Sequence, residues 1–294
     1  MDGILNVYKP KGMTSHDVVN KIRRIFNTKQ VGHTGTLDPN AEGVLVVCLN
    51  QATKLVQFLE SDVKKYRCEL VLGISTDTYD ITGNIVKKDD QLDLTEEALI
   101  ETIKSFVGKQ KQLPPVYSSI KVNGKKLYEY ARKNQEVTID ARDIEIFEID
   151  NFSQLIKNEY HSISFDVLVS KGTYIRSLCH DIGEKLGIPA TMGELLRLQS
   201  GAFCLSEAHK LEDIETGNYQ LISMLDAIYD MKKIDVIDNE ELKFKAKNGM
   251  KISLKYFDKK FEKIVFHEND RIVAVYEYYE EAEKRCYKAV RVWK

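Results

Sequence analysis

The sequence predicts an α+β protein, with strands and helices mixed along most of its length and a small β-rich region at its end. Two observations carry this. Apolar or alternating runs of strand length, such as residues 44–49 and 161–169, are interleaved with amphipathic stretches of helical period, such as residues 15–26 and 95–107. After about Tyr229 the texture changes to short alternating runs separated by turns.

Composition sets the broad class. The 294 residues are 43% hydrophobic and 30% charged, as in an ordinary globular chain, and the formal net charge is −2. A nucleic-acid site must therefore rest on a local patch rather than on global charge. The start, Met1-Asp2-Gly3-Ile4, lacks the basic and apolar regions of a signal peptide, and no apolar run approaches the ~18 residues of a membrane helix. The five cysteines are odd in number and scattered, without a C-x-x-C, so reduced thiols in a cytoplasmic protein are expected. The six histidines are dispersed, so no metal site is expected.

The elements follow in order. Residues 4–8 read as a strand that ends at Lys9-Pro10-Lys11-Gly12, where Ser15 can cap a helix over 15–26 with Val18, Val19, Ile22, Ile25 and Phe26 inside. Lys21, Arg23 and Arg24 on its polar side form either a solvated face or part of a phosphate-contacting surface. The stretch 31–50 packs turn-forming residues around one carboxylate, Asp38, and then enters the buried strand 44–49. Gly32 and Gly35 permit unusual backbone near a ligand, and Pro39 biases Asp38 toward extended geometry. Asn50 is a candidate cap for a helix carrying Ala52, Leu55, Val56 and Leu59.

Residues 64–73 read as a strand on which Tyr66 stands among Lys64, Lys65 and Arg67. Such a tyrosine is either a core or cross-strand residue or a platform on which a base can stack. A polar turn over 75–83 and a helix over 95–107 follow. Residues 109–133 then concentrate Lys109, Lys111, Lys121, Lys125, Lys126, Arg132 and Lys133 against Glu129, with Tyr117, Tyr128 and Tyr130 interleaved. Cations for phosphates and aromatics for bases are what RNA binding needs; the plainer alternative is a solvated helix after the Pro114-Pro115 turn.

Strands are expected over 137–147 and 161–169. The second leads through Gly172-Thr173-Tyr174-Ile175-Arg176 into a helix with Leu178, Ile182 and Leu186 inside, ended by Gly187-Ile188-Pro189. A cation in the first turn of a helix opposes the helix dipole, so Arg176 points to an anionic partner, either a specific one or a surface salt bridge. An apolar run from Glu194 and a largely helical tail over 211–228 complete the larger part.

Several of these stretches resemble one family, the bacterial tRNA pseudouridine synthase B (TruB) family. The likeness runs through Lys9-Pro10-x-Gly12-x-Thr14-Ser15 with Asp17-Val18-Val19, and Gly32-His33-Thr34-Gly35-Thr36-Leu37-Asp38-Pro39 followed by Gly43-Val44-Leu45. It continues through Lys65-Tyr66, Pro114-Pro115-x-Tyr117-Ser118 with Lys121 and Gly124, and Gly172-Thr173-Tyr174-Ile175-Arg176. Ser119, where the family commonly has Ala, and Leu195-Leu196-Arg197, where many members have polar or basic residues after Leu, are mild departures.

The resemblance implies a pseudouridine synthase fold, a mainly antiparallel mixed sheet flanked by helices. It implies a catalytic domain over 1–229 with a thumb-like insertion at about 109–140, and a PUA-like RNA-binding domain over 230–294. The implied reaction isomerises uridine 55 in the T loop of tRNA after the base is flipped out. Asp38 is then the catalytic carboxylate, Arg176 the cation beside it, Tyr66 the base-stacking residue and proton relay, and Leu195 an apolar wall. His33 fills the gap left by the flipped base. Lys9, Gly35, Tyr174, Lys121, Lys125 and Lys126 join the substrate-binding set. The chemistry calls for no cofactor or metal. The expected partner is the tRNA T stem-loop, bound by a monomer without a protein partner, guide RNA or membrane. The rivals are a guide-RNA-directed relative and a non-catalytic RNA chaperone.

Overall fold

A computed structural model describes residues 1–60, 63–118, 120–122, 124–131, 133, 135, 137–281 and 284–293. Ser119 and Arg132 of the sequence expectations lie outside these. Strand β1 (Gly3–Lys9) leads to helix α1 (Ser15–Ile25), then to β2 (Val31–His33), β3 (Glu42–Leu49), a 3₁₀ turn (Asn50–Leu55) and α2 (Val56–Leu59). Next come β4 (Val63–Leu72), the hairpin β5 (Ile74–Thr76) and β6 (Ile85–Lys88), α3 (Glu96–Lys104) and β7 (Gly108–Gln112). A small hairpin, β8 (Lys121–Val122) and β9 (Lys125–Lys126), precedes α4 (Leu127–Ala131), β10 (Arg142–Asp150), β11 (Ile156–Lys157) and β12 (His161–Ser170). Helix α5 (Ile175–Leu186), β13 (Ala190–Ser200), β14 (Phe203–Cys204), α6 (Leu211–Glu215) and α7 (Met224–Ala227) close the larger part.

Apart from the separate hairpins β5–β6 and β8–β9, these strands form one sheet in the order β1-β3-β13-β4-β12-β10-β7, with β2 on β3, β11 on β12 and β14 on β13. Every pairing is antiparallel except β13 with β3. The mainly antiparallel mixed sheet is the architecture expected. Strand β3 shows why its apolar run is continuous. Val44, Val46 and Cys48 enter one cluster with Phe203 and Ile228, while Leu45, Val47 and Leu49 enter another with α1 and α6. Burial on both faces removes the polar alternation that a half-exposed strand shows. On β4, Tyr66, Cys68, Leu70 and Leu72 face α3 and α5.

A second sheet, β15-β17-β18-β19-β16, is built from β15 (Lys232–Asp235), β16 (Ile252–Ser253), β17 (Lys263–Glu268), β18 (Arg271–Glu281) and β19 (Lys284–Val292), with α8 (Glu240–Lys247) beside it. It shares an apolar cluster with the first sheet, in which Val265, Ile272 and Val275 join Ile4, Val44 and Cys48.

Several local expectations are corrected. The cap of α1 is Thr14, not Ser15: Thr14 and Asp17 form a reciprocal capping box, and Ser15 turns inward. Asn50 caps no helix; it sits at φ 49° and its amide binds Thr28 and the Met1 carbonyl. Residues 109–112 form β7 at the sheet edge, paired to β10. Strand β10 starts at Arg142 rather than 137, and β13 starts at Ala190, before the apolar run. In the tail over 211–228, Ile222 bridges Ile4 as extended chain instead of continuing a helix.

Candidate active site

The Asp38 loop is held by the segment from β1 to α1 and by β13. Ser15 Oγ donates to the Leu37 carbonyl (3.2 Å) and accepts from the Leu37 amide (2.9 Å), so the inward turn of Ser15 fixes the residue before Asp38. The Gly12 amide donates to the Pro39 carbonyl at 2.8 Å. Two buried cations complete the frame. Lys9, 0% exposed, donates to the carbonyls of Pro10 (2.9 Å), Met13 (2.5 Å) and Pro39 (3.2 Å). Arg197, 1% exposed, donates to Val44 (2.6 Å) and Gly35 (3.1 Å). Gly43, at φ 104°, lets the backbones of β3 and β13 meet here: a Cβ there would lie 2.3 Å from the Arg197 carbonyl oxygen.

Asp38 faces Arg176. The Arg176 Nε lies 3.0 Å from Asp38 Oδ2, and the guanidinium is nearly buried while the carboxylate is 43% exposed. Arg176 also donates from Nη1 to the Thr78 carbonyl (3.1 Å) and from Nη2 to the Tyr117 carbonyl (2.9 Å). Its Nη1 is 3.6 Å from Asp80 Oδ2. The cation at the start of α5 thus meets two carboxylates and two carbonyls, which answers the mismatch with the helix dipole.

These groups line a cavity of about 450 Å³ whose wall includes Asp38, Tyr66, Tyr174, Arg176, Leu195 and Arg197. Gly35 also lines it. Tyr66 reaches it because alternation on β4 sends Tyr66 and Lys64 to one face and Lys65 and Arg67 to the other. Those two cations pair with Asp150 and Asp166, so they do not flank the ring as the sequence suggested. Leu195 sits opposite Cys68 on the neighbouring β13. Tyr174 caps α5, and the buried side chain of Gln112 grips its amide (2.8 Å) and its carbonyl (3.1 Å). Burial raises the Tyr174 phenol above its ordinary pKa, against a smaller opposing pull from the Ser118 hydroxyl.

The other expected residues stand elsewhere. His33 ends β2 at the start of the Asp38 loop, outside the cavity lining; its Nδ1 accepts from the Gly35 amide at 3.3 Å. Burial, and next the charge of Arg197, lowers its pKa. Lys9 is corrected from substrate contact to frame, because its ammonium is fully buried and its donors are used on carbonyls. Lys121 and Lys126 sit opposite each other on the β8–β9 hairpin, with Lys125 beside them, outside the cavity.

Sequence reasoning missed Arg197, Asp80 and Gln112. An arginine inside the run Leu195-Leu196-Arg197-Leu198 was the available signal, since a cation in a buried strand needs acceptors. Asp80 and Gln112 carry no comparable local signal. Among the described residues, no group of three or more His, Cys, Asp or Glu is placed to hold a metal ion, and no helix is long and apolar enough to cross a membrane.

Residues 23–175 match the family model of the TruB family pseudouridylate synthase N-terminal domain, and residues 176–228 match that of the tRNA pseudouridylate synthase B C-terminal domain. The chain is 44% identical to the tRNA pseudouridine synthase B of Oceanobacillus iheyensis, over 100% of this chain and 98% of that one. It is 46% identical to the protein of the same name from Clostridium perfringens, over 86% of this chain and 85% of that one. Among solved structures it resembles a chain of a Cbf5-Nop10-Gar1 complex, with a TM-score of 0.73 and 28% identity over 99% of this chain and 84% of that one. It also resembles a chain of an H/ACA RNP bound to a substrate RNA containing 2'-deoxyuridine, with a TM-score of 0.69 and 26% identity over 99% and 84%.

Proposed function

The chain belongs to the TruB family of pseudouridylate synthases, and on that premise we propose that it isomerises uridine 55 in the T loop of tRNA to pseudouridine, with Asp38 as the catalytic carboxylate. The observation that carries the assignment of Asp38 is the ion pair with Arg176, 3.0 Å long, in a cavity also lined by Tyr66 and Leu195. The cavity, about 450 Å³, is of the size that holds a small ligand, which supports entry of one nucleotide flipped from its stack.

The reaction breaks the C1′–N1 bond and rejoins the same ring through C5. Asp38 either attacks C1′ or takes the C2′ proton, and its exposed carboxylate suits both. Arg176 neutralises and orients that carboxylate. Tyr66 stacks on the detached uracil and relays the C5 proton, Leu195 closes the apolar wall, and His33 fills the place of the flipped base. The net change, C1′–N1 exchanged for C1′–C5, lies within the uridine and needs no outside oxidant, reductant or group donor, so the chemistry calls for no cofactor.

The T stem-loop lies along the insertion between β7 and β10, where Lys121, Lys125 and Lys126 meet phosphates. The region over 230–294, with its own five-stranded sheet, serves as a PUA-like RNA-binding domain. The protein works in the cytoplasm as a monomer, without guide RNA. Likeness to chains from H/ACA complexes keeps the guided reading as the rival. Purified protein with an unmodified tRNA transcript, the product position mapped, separates them. Pseudouridine at position 55 without further components is the expected result; none, or another position, overturns the proposal. Asp38→Asn should abolish turnover while tRNA binding persists, and retained turnover removes Asp38 from its role.

A further inference from the structure

We propose that the stacked pair Tyr79 and His180 is a positioning clamp that sets Arg176 against Asp38. The inference rests on the catalytic reading of that ion pair, and neither residue belongs to the motifs from which it was read.

Helix α5 presents Arg176 and His180 one turn apart, at i and i+4, on one face. Both engage the same loop between β5 and β6. Arg176 takes the Thr78 carbonyl (3.1 Å) and faces Asp80 (3.6 Å). Between those two residues, Tyr79 lays its ring flat on His180, with centroids 4.0 Å apart and an interplanar angle of 6°. The loop touches the guanidinium on either side of Tyr79 and the imidazole through Tyr79 itself.

The backbone indicates that this ring has a task. Tyr79 has φ 61°, a left-handed conformation that a bulky side chain rarely adopts and that glycine or asparagine takes readily. Strain of this kind persists where the surroundings over-determine it. Here they do. The Met192 amide donates to the Tyr79 carbonyl (3.1 Å), and the Ile81 amide donates to the Met192 carbonyl (2.8 Å), fixing the loop to β13. Asp80 Oδ1 accepts from Thr78 Oγ1 (3.0 Å) and from the Thr82 amide (3.1 Å), which leaves Oδ2 turned toward Arg176. Asn40, two residues past Asp38, reaches Thr82 Oγ1 at 3.3 Å. The loop is thereby tied to β13, to the Asp38 loop and, through the ring stack, to α5. Without the stack, its tie to α5 is the guanidinium it is meant to position.

The test uses the full chain, steady-state kinetics on a tRNA transcript, and NMR of protein labelled with ¹⁵N-arginine, the Arg176 Nε–H assigned through Arg176→Lys. Tyr79→Gly, which relieves the backbone and deletes the ring, should lower kcat about tenfold, keep KM within about twofold and leave the melting temperature no lower. His180→Ala should do the same to kcat, and the double variant should be no worse than either single one. Tyr79→Phe, which keeps the stack, should restore kcat. In both ring-deleting variants the Arg176 Nε–H should exchange faster with solvent. Tyr79→Asn replaces Tyr79→Gly if the latter fails to fold. Unchanged kcat with an unchanged Nε–H signal overturns the clamp, as does a loss confined to KM or to melting temperature. If the wild type makes no pseudouridine, the functional reading fails on its own, and the Nε–H comparison still decides the clamp.

Discussion

Replacing Lys9 by Met sets two opposing effects against each other. Burial pushes the Lys9 pKa from 10.5 down to about 8, with Glu42 and Asp38 pulling the other way. Holding the charged form in place at neutral pH therefore costs about 3 kcal/mol. The opposite effect is the loss of donors. Pro39 keeps the Gly12 amide, but the Pro10 and Met13 carbonyls lose the Lys9 ammonium. Each of these part-buried carbonyls left bare costs at most about 1–3 kcal/mol. At about pH 7 the two effects nearly cancel, so a single melting curve decides nothing, and pH separates them. Lys9 binds its proton less tightly in the folded chain than in the unfolded one. Between the two pKa values the unfolded state holds more protons, and stability rises with pH there. The wild type should gain about 2 kcal/mol over Lys9→Met between about pH 7 and pH 10, read by urea unfolding at a series of pH values. Parallel profiles would refute the buried-cation account. Because Lys9 touches frame and not RNA, the salt dependence of tRNA binding should be the same in both proteins.

Three further outcomes follow from the geometry. Arg176→Lys cannot serve two carbonyls and Asp38 from one ammonium, and the lost charged hydrogen bond, about 1.5–3 kcal/mol, should lower kcat roughly ten- to a hundredfold; wild-type kinetics would remove the ion pair from the mechanism. Neutralising Lys125 and Lys126 together should make the slope of log binding constant against log salt shallower by about 2, and an unchanged slope places the RNA elsewhere. Burial lowers the His33 pKa below 6.5, so the unfolded chain holds the extra proton as pH falls past that value and stability is lost there; His33→Phe should flatten that limb of the urea-midpoint profile, and an unaltered limb contradicts the burial of His33.

Much of this fold was legible because hydrophobic period and burial agree. Val18, Val19 and Ile22 repeat at helical spacing and all three are buried, and the run over 44–49 is apolar because both its faces are covered. The misses arise where polar side chains take backbone roles. Thr14 and Asp17 carried a capping-box pattern that outranks Ser15, and Asn50 turned to the chain start rather than to a helix. In the site, the partner of Arg176 was foreseeable because a cation at a helix start is out of place. The frame was not. Lys9 was expected to meet substrate and Arg197 was given no role, and the tertiary fold shows the carbonyls around both. Gly32 and Gly35 attracted attention, yet neither has a positive φ, whereas Gly43 does, at 104°, where β3 meets β13.

The reach of Arg197 also sets a timetable for synthesis. Its hydrogen bonds to Gly35 and Val44 span 162 and 153 residues of chain. Strand β13, which carries it, is also the partner that lies between β3 and β4. Contacts this distant in sequence form late, because a long loop must close before they return any stabilisation. A nascent chain whose Arg197 is still inside the ribosome therefore has Asp38 but not the frame around it. The enzyme becomes competent only after about two thirds of its length has emerged, and a pause or truncation before that point yields an inert chain rather than a partly active one.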